Sequence, residues 1–188
     1  SCTSSGGSTN WTAGTITLTG TCNDNLSGCR SNVTKQYTQQ INSTTESPGT
    51  VYDNAGNSVT CPGNQTVRID KTKPTCTSSG GTSSAVFGSV TLIGTCHDNE
   101  SGCKGNVSKT FNGPQNLTNQ SPGSVCDNVG NCTTCPANQS VHINANFSVV
   151  GGDACSNGIG SNITWRFTGT EHGGGHAGCG SVRLMTNW

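Results

Sequence analysis

The 188-residue sequence predicts an all-β protein: two tandem, disulfide-stapled β-sandwich modules followed by a short β-rich C-terminal element. Three observations predict it. The chain repeats itself in register, only 29% of its residues are apolar, and its twelve cysteines recur at fixed spacing.

The repeat sets the domains. SPGTVYDNAGNSVTCPGNQTVRID at 47–70 returns as SPGSVCDNVGNCTTCPANQSVHIN at 121–144, and an offset of 74 residues pairs the rest of the two stretches without an insertion. Of the 70 pairs from Ser1/Thr75 to Asp70/Asn144, 37 are identical. A shared bias toward Ser, Thr, Gly and Asn does not produce that, so the duplication is real. Residues 1–74 are the first repeat with its linker Lys71-Thr72-Lys73-Pro74, residues 75–144 the second, and residues 145–188 match neither.

A module of about 70 residues with so few apolar side chains buries only a thin core. Cysteines are expected to make up the difference. An even count at repeated spacing in small modules reads as a disulfide framework made in an oxidising compartment. Zinc is the competing reading, but only Cys132-Thr-Thr-Cys135 has ligand-like spacing, and its counterpart in the first repeat is Ser58 and Cys61. Disulfides are the better account.

Formal net charge is zero, and the nine Lys and Arg are scattered rather than banded, so neither nucleic acid nor an anionic membrane is an expected partner. No apolar run approaches a spanning helix or a signal peptide, although the disulfide framework requires export. The chain is therefore read as a mature or excised piece, cut between repeats of a longer array.

Secondary structure reads as strands. Thr15-Ile16-Thr17-Leu18-Thr19 and Ser89-Val90-Thr91-Leu92-Ile93 alternate apolar and hydroxylated residues, and helix-period stretches are missing. Val51, Val67 and Ile69, with Val125, Val141 and Ile143, mark further short strands. Between them Asp53-Asn54-Ala55-Gly56-Asn57 and Asp127-Asn128-Val129-Gly130-Asn131 are tight hairpin turns, where Asn and Gly tolerate positive φ. Short strands separated by turn signals predict a small antiparallel sandwich.

The motifs C-x-D-N-x-S-G-C and V-x-D-N-x-G-N and the closing V-x-I-D-K-T-K-P resemble the tandem immunoglobulin-like repeats of bacterial surface proteins, over about three quarters of the chain. The resemblance implies an immunoglobulin-like fold and a spacer role between a cell envelope and an outward-facing tip. The cysteines depart from the commonest form of such repeats and imply extra stapling. Cys22 and Cys29, like Cys96 and Cys103, bracket a short Asp-Asn-x-Ser-Gly loop and suit a local bridge. In an immunoglobulin-like topology the first and last strands lie side by side, which implies Cys2–Cys61 and Cys76–Cys135. Cys126 and Cys132 replace Tyr52 and Ser58 and flank the second hairpin turn as a cross-strand bridge would. Cys155 and Cys179 remain for each other.

Chemistry is expected to be absent. The cysteines are committed, and His97 and His142 are Asn23 and Arg68 in the sister repeat, so no nucleophile–base pair is expected. Glu171, His172 and His176 offer metal-ligand types, but the three glycines between the histidines disfavour a helix that would align them. Calcium has the better case: Asp24, Asp53 and Asp70 lie at loop ends or at the linker, and oxygen-rich loops at module junctions bind calcium and stiffen arrays. Because Asp70 becomes Asn144, such a site is confined to the first junction. Asn-x-Ser/Thr triplets are about twice as frequent as composition dictates and read as a by-product of that composition and of the duplication.

In the last segment, Ile163–Thr168 and Ser181–Thr186 alternate like strands, and Trp165, Phe167 and Trp188 concentrate the aromatics. It is expected to cap the array, to add strands to another copy in a filament, or to form a tip that binds a glycan or a host protein. The whole reads as a non-enzymatic extracellular structural protein of a cell surface, a repeat stalk or filament subunit partnered by copies of itself or other surface proteins. An adhesin acting through the C-terminal element is the alternative.

Overall fold

The computed structural model describes residues 1–145 and, beyond them, the backbone of four two-residue strands. Every regular element among the described residues is a strand. The first repeat contains β1 (Cys2–Ser5), β2 (Ile16–Cys22), β3 (Cys29–Ser31), β4 (Val33–Tyr37), β5 (Ile41–Glu46), β6 (Thr50–Asp53), β7 (Ser58–Thr60) and β8 (Gln65–Ile69). The second contains β9 (Thr75–Ser79), β10 (Val86–Phe87), β11 (Ser89–His97), β12 (Val107–Asn112), β13 (Gln115–Gln120), β14 (Ser124–Cys126), β15 (Cys132–Thr134) and β16 (Gln139–Asn144).

Both repeats use one plan. In the first, a β1-β2-β4 sheet faces a β5-β8 pair, and β3-β6-β7 forms a third small sheet. In the second, β9-β11-β12 faces β10-β16-β13, with the β14-β15 hairpin alongside. The alternation of β2 turns Ile16 and Leu18 inward onto Val67 and Ile69 of β8. Val90 and Leu92 pack on Val141 and Ile143 in the same way. Each such side chain contributes about 1.5–3 kcal/mol of burial, and four per cluster make a thin core.

Among the described residues five disulfides reinforce it: Cys2–Cys61, Cys22–Cys29, Cys76–Cys135, Cys96–Cys103 and Cys126–Cys132. The long-range staples arise differently from the expectation of adjacent first and last strands. β1 pairs with β2, while β8 pairs with β5. Cys61 lies between β7 and β8, brought to β1 by the Ser4 hydroxyl donating to the Pro62 carbonyl at 2.7 Å and by Gln65 donating to the Ser4 carbonyl at 3.2 Å. Space for the staple comes from Gly20, where a Cβ would lie 2.6 Å from the Cys61 sulfur; Gly94 meets Cys135 at the same distance. Cys155 opens a short strand, but its pairing with Cys179 lies outside the described residues.

The turns follow the motif, with one refinement. Asp53–Asn57 joins β6 to β7 and Asp127–Asn131 joins β14 to β15, but the positive φ falls on Gly56 and Gly130 and not on the asparagines. Ser1–Asn144 forms one compact unit, which holds both repeats, and Ala145–Trp188 another. Within the second unit β17 (Val150–Gly151) pairs with β20 (Trp165–Arg166), and β18 (Cys155–Ser156) with β19 (Ser161–Asn162).

Candidate metal centre at the module junction

β8 ends at Ile69, and the next residue begins the linker. Asp70 is fully buried, its N–H donating to the Thr12 carbonyl at 3.0 Å. Its side chain closes an Asx turn, with Oδ1 accepting from the Thr72 N–H at 2.9 Å. Its other oxygen belongs to the second repeat: Oδ2 accepts from the Ser101 hydroxyl at 2.5 Å and the Ser101 N–H at 3.2 Å. The Asn131 amide donates to the Asp70 carbonyl at 3.2 Å. One residue of the linker is thus held by two loops of the next module.

Those loops carry carboxylates of their own. Asp98 opens the loop closed by Cys96–Cys103, and its Oδ1 accepts from the N–H groups of Glu100 at 2.9 Å and Gly102 at 2.7 Å. Gly102 supplies the positive φ, +80°, that lets the loop return. Asp127, also fully buried, organises the hairpin turn: Oδ1 accepts from Val129, Gly130 and Asn131 N–H at 3.0, 2.6 and 2.8 Å, and Oδ2 from the Asn131 amide at 2.6 Å. Asn128 ties the loops together by donating to the Ser101 carbonyl at 2.8 Å.

Ligand oxygens of Asp70, Asp98 and Asp127 lie within 4.8 Å of one another. Oxygens bound to one calcium at 2.3–2.6 Å have such mutual spacings. Glu100, two residues after Asp98 on the same loop, adds a fourth carboxyl. The Oε2 atom of Glu100 is shut off from solvent and has no hydrogen-bond partner. The one ion pair among the described residues is Lys35–Glu46, so none of these carboxyls is ion-paired, although Lys73 and His97 line the same cleft as Asp98 and Glu100. Burial pushes the Asp70 carboxyl up, but the Ser101 hydroxyl, the Thr72 and Ser101 N–H groups and the Glu100 carboxyl outweigh it and hold it below the ordinary aspartate value. Hard oxygen ligands, partial burial and carboxyls without an ion-pair partner suit a divalent cation of the calcium type.

The expected trio of Asp24, Asp53 and Asp70 is not brought together. Ile69 packs with Ile16 at the start of β2, whereas Asp24 lies past Cys22 at its end, and a strand of seven residues spans roughly 20 Å. Asp24 and Asp53 share a cleft with Ser1 at that far pole. There Ser27, the equivalent of Ser101, donates N–H and hydroxyl to Asp24 at 3.0 and 3.1 Å, and the Asn57 amide holds Asp53 below its ordinary value. Leu26 stands where Glu100 stands in the second repeat, and is 92% exposed. The partners of Asp70 were legible in principle: Asp98 and Asp127 are the 74-residue equivalents of Asp24 and Asp53, in the module that the linker enters.

Of the other candidates, His97 is exposed with its ring 3.5 Å from the Thr77 hydroxyl, and His142 pairs with Asn116. Trp165 sits in β20 as backbone, while Phe167, Trp188, Glu171, His172 and His176 lie outside the described residues. No known family model matches the chain, and neither a curated protein nor a solved structure matches it.

Proposed function

We propose that the chain is a non-catalytic, exported structural protein, a stalk or filament component of a bacterial surface, in which immunoglobulin-like modules are locked end to end and a calcium-class cation completes the lock. One observation carries this reading: Asp70, the residue that leaves the first module, is fully buried against Ser101 and Asn131 of the second. A free linker would leave that carboxylate in water. Five disulfides support an oxidising destination, and the thin cores with polar outer faces support a role in which length and rigidity matter more than a pocket. Asp70, Asp98, Glu100 and Asp127 are the ligands of the proposed cation.

The test uses the full chain. Calorimetric titration with calcium is expected to give one site, and small-angle scattering is expected to show a narrower distribution of inter-module distances in calcium than in chelator. Electron microscopy of native material separates stalk from filament, as isolated rods or fibres. No binding, and a scattering curve indifferent to chelation, would remove the cation; a broad distance distribution in every condition would remove the rigid junction.

A further inference from the structure

The two hairpin turns have nearly the same sequence, Asp-Asn-Ala-Gly-Asn and Asp-Asn-Val-Gly-Asn, yet they hold their aspartates differently. Asp53 accepts from the Asn57 N–H and the Asn57 amide, both at 2.7 Å, and is half-buried. Asp127 accepts three backbone N–H groups and an amide and is fully buried. What differs at the base of the turn is covalent. Tyr52 faces Ser58 across the first ladder, and Cys126 is bonded to Cys132 across the second, with Cα atoms 4.1 Å apart.

We infer that the Cys126–Cys132 bridge is a positioning element of the junction's cation site. Cys126 precedes Asp127 and Cys132 follows Asn131, so the bridge brackets the residue that supplies a carboxylate and the residue that grips the linker. Asn131 spends one amide group on both tasks, donating to Asp127 Oδ2 and to the Asp70 carbonyl. Fraying of β14 and β15 would therefore withdraw a ligand and release the linker in one motion. Side-chain packing anchors this hairpin at one point: β14 and β15 each have three residues, and of these only Val125 is fully buried, against Cys96 and Cys135. The bridge closes a ring with a sequence separation of 6 and leaves the turn little room to open. This inference rests on the cation reading above.

The experiment compares calcium affinity, by calorimetry and terbium luminescence, in the full chain and in two variants, Cys126→Ser/Cys132→Ser and Cys126→Tyr/Cys132→Ser. The second variant restores the pair that the first module folds with. Loop-closure entropy for a ring this small, assigned wholly to binding, caps the loss at about fifty-fold; the residual ladder reduces it to about ten-fold. Cys22→Ser/Cys29→Ser, which opens a ring of similar size at the other pole, is expected to lower the melting temperature and leave the calcium affinity unchanged. If both hairpin variants bind within two-fold of wild type, the positioning role is overturned while the cation reading stands. If wild type itself binds no calcium, both fall.

Discussion

Replacing Asp70 by Asn keeps the shape of the linker residue and removes its charge, which makes the consequences countable. Asp70 accepts at both oxygens, from Thr72 on one side and from the Ser101 N–H and hydroxyl on the other. An amide offers one oxygen, so in either orientation a buried backbone N–H faces an NH₂ group. Leaving it unpaired costs about 1–3 kcal/mol. Its carboxyl is held below the ordinary aspartate value, so the surroundings favour the charged form and the amide gains nothing that offsets this cost. In chelator the variant is therefore expected to melt several degrees below wild type. In calcium at about 100 times its dissociation constant wild type gains roughly 2.7 kcal/mol, or about 5–10 °C. Asp70→Asn is expected to lose most of that gain. Calorimetric melting of both proteins in chelator and in calcium measures the four values, with Asp24→Asn as the control that keeps the full response. Equal calcium responses of wild type and Asp70→Asn would refute the reasoning.

Glu46→Gln is expected to flatten the acid response of the first module: the Tyr37 hydroxyl first, then Ser43 and Lys35, hold the Glu46 carboxyl below its ordinary value. A depressed acid stabilises the fold above the ordinary value of 4.5 and loses that stability as pH falls through the folded value, so wild type should lose about 1 kcal/mol between pH 6 and 3 that the variant does not, by denaturant titration. Phe111 and Gln120 occupy the corresponding positions of the second module, which should show no such loss. Gly94→Ala places a Cβ at 2.6 Å from the Cys135 sulfur and 2.7 Å from Val107, and is expected to cost about 1–3 kcal/mol or expel the staple, read by melting and by thiol titration. Non-reducing peptide mapping is expected to recover Cys22–Cys29 and Cys96–Cys103 peptides, and reduction to lower the melting temperature by well over 10 °C.

The fold was legible wherever one residue type dominates the outcome. Ile16 and Leu18 alternate with threonines and must face inward, and Gly56 and Gly130 are the residues of their turns most easily driven to positive φ. The polar strands were not legible. Ile41–Glu46 and Gln115–Gln120 each pack one apolar side chain on the core, Ile41 in one and Leu117 in the other, two places apart in the repeat register. An edge strand with a single apolar anchor is held mainly by ladder hydrogen bonds, which leave no mark on side-chain pattern. The candidate site was half legible for a related reason. Its residue types and its location at the linker could be read, but its ligand set depended on which end of each module receives the linker, and that is a matter of topology.

The duplication makes that topology visible at one hydroxyl. Ser27 gives its N–H and Oγ to Asp24 of its own loop, while Ser101, the same residue one repeat later, gives both to Asp70 of the neighbouring module. Asp98, released from its serine, accepts instead from the Glu100 and Gly102 N–H groups, while other loop contacts are kept: Asn54 donates to the Ser27 carbonyl at 2.9 Å as Asn128 does to that of Ser101 at 2.8 Å, and Gly28 and Gly102 share the φ range. The aspartate of the linker therefore displaces an internal acceptor rather than filling a gap, and the loop is satisfied in either condition. The first pole shows how such a loop rests with no linker aspartate beside its serine, and the second shows it engaged. The cost of forming the junction is then the exchange of one carboxylate acceptor for another. The gain lies in what accompanies it: the Asn131 contact to the linker backbone and the stapled hairpin.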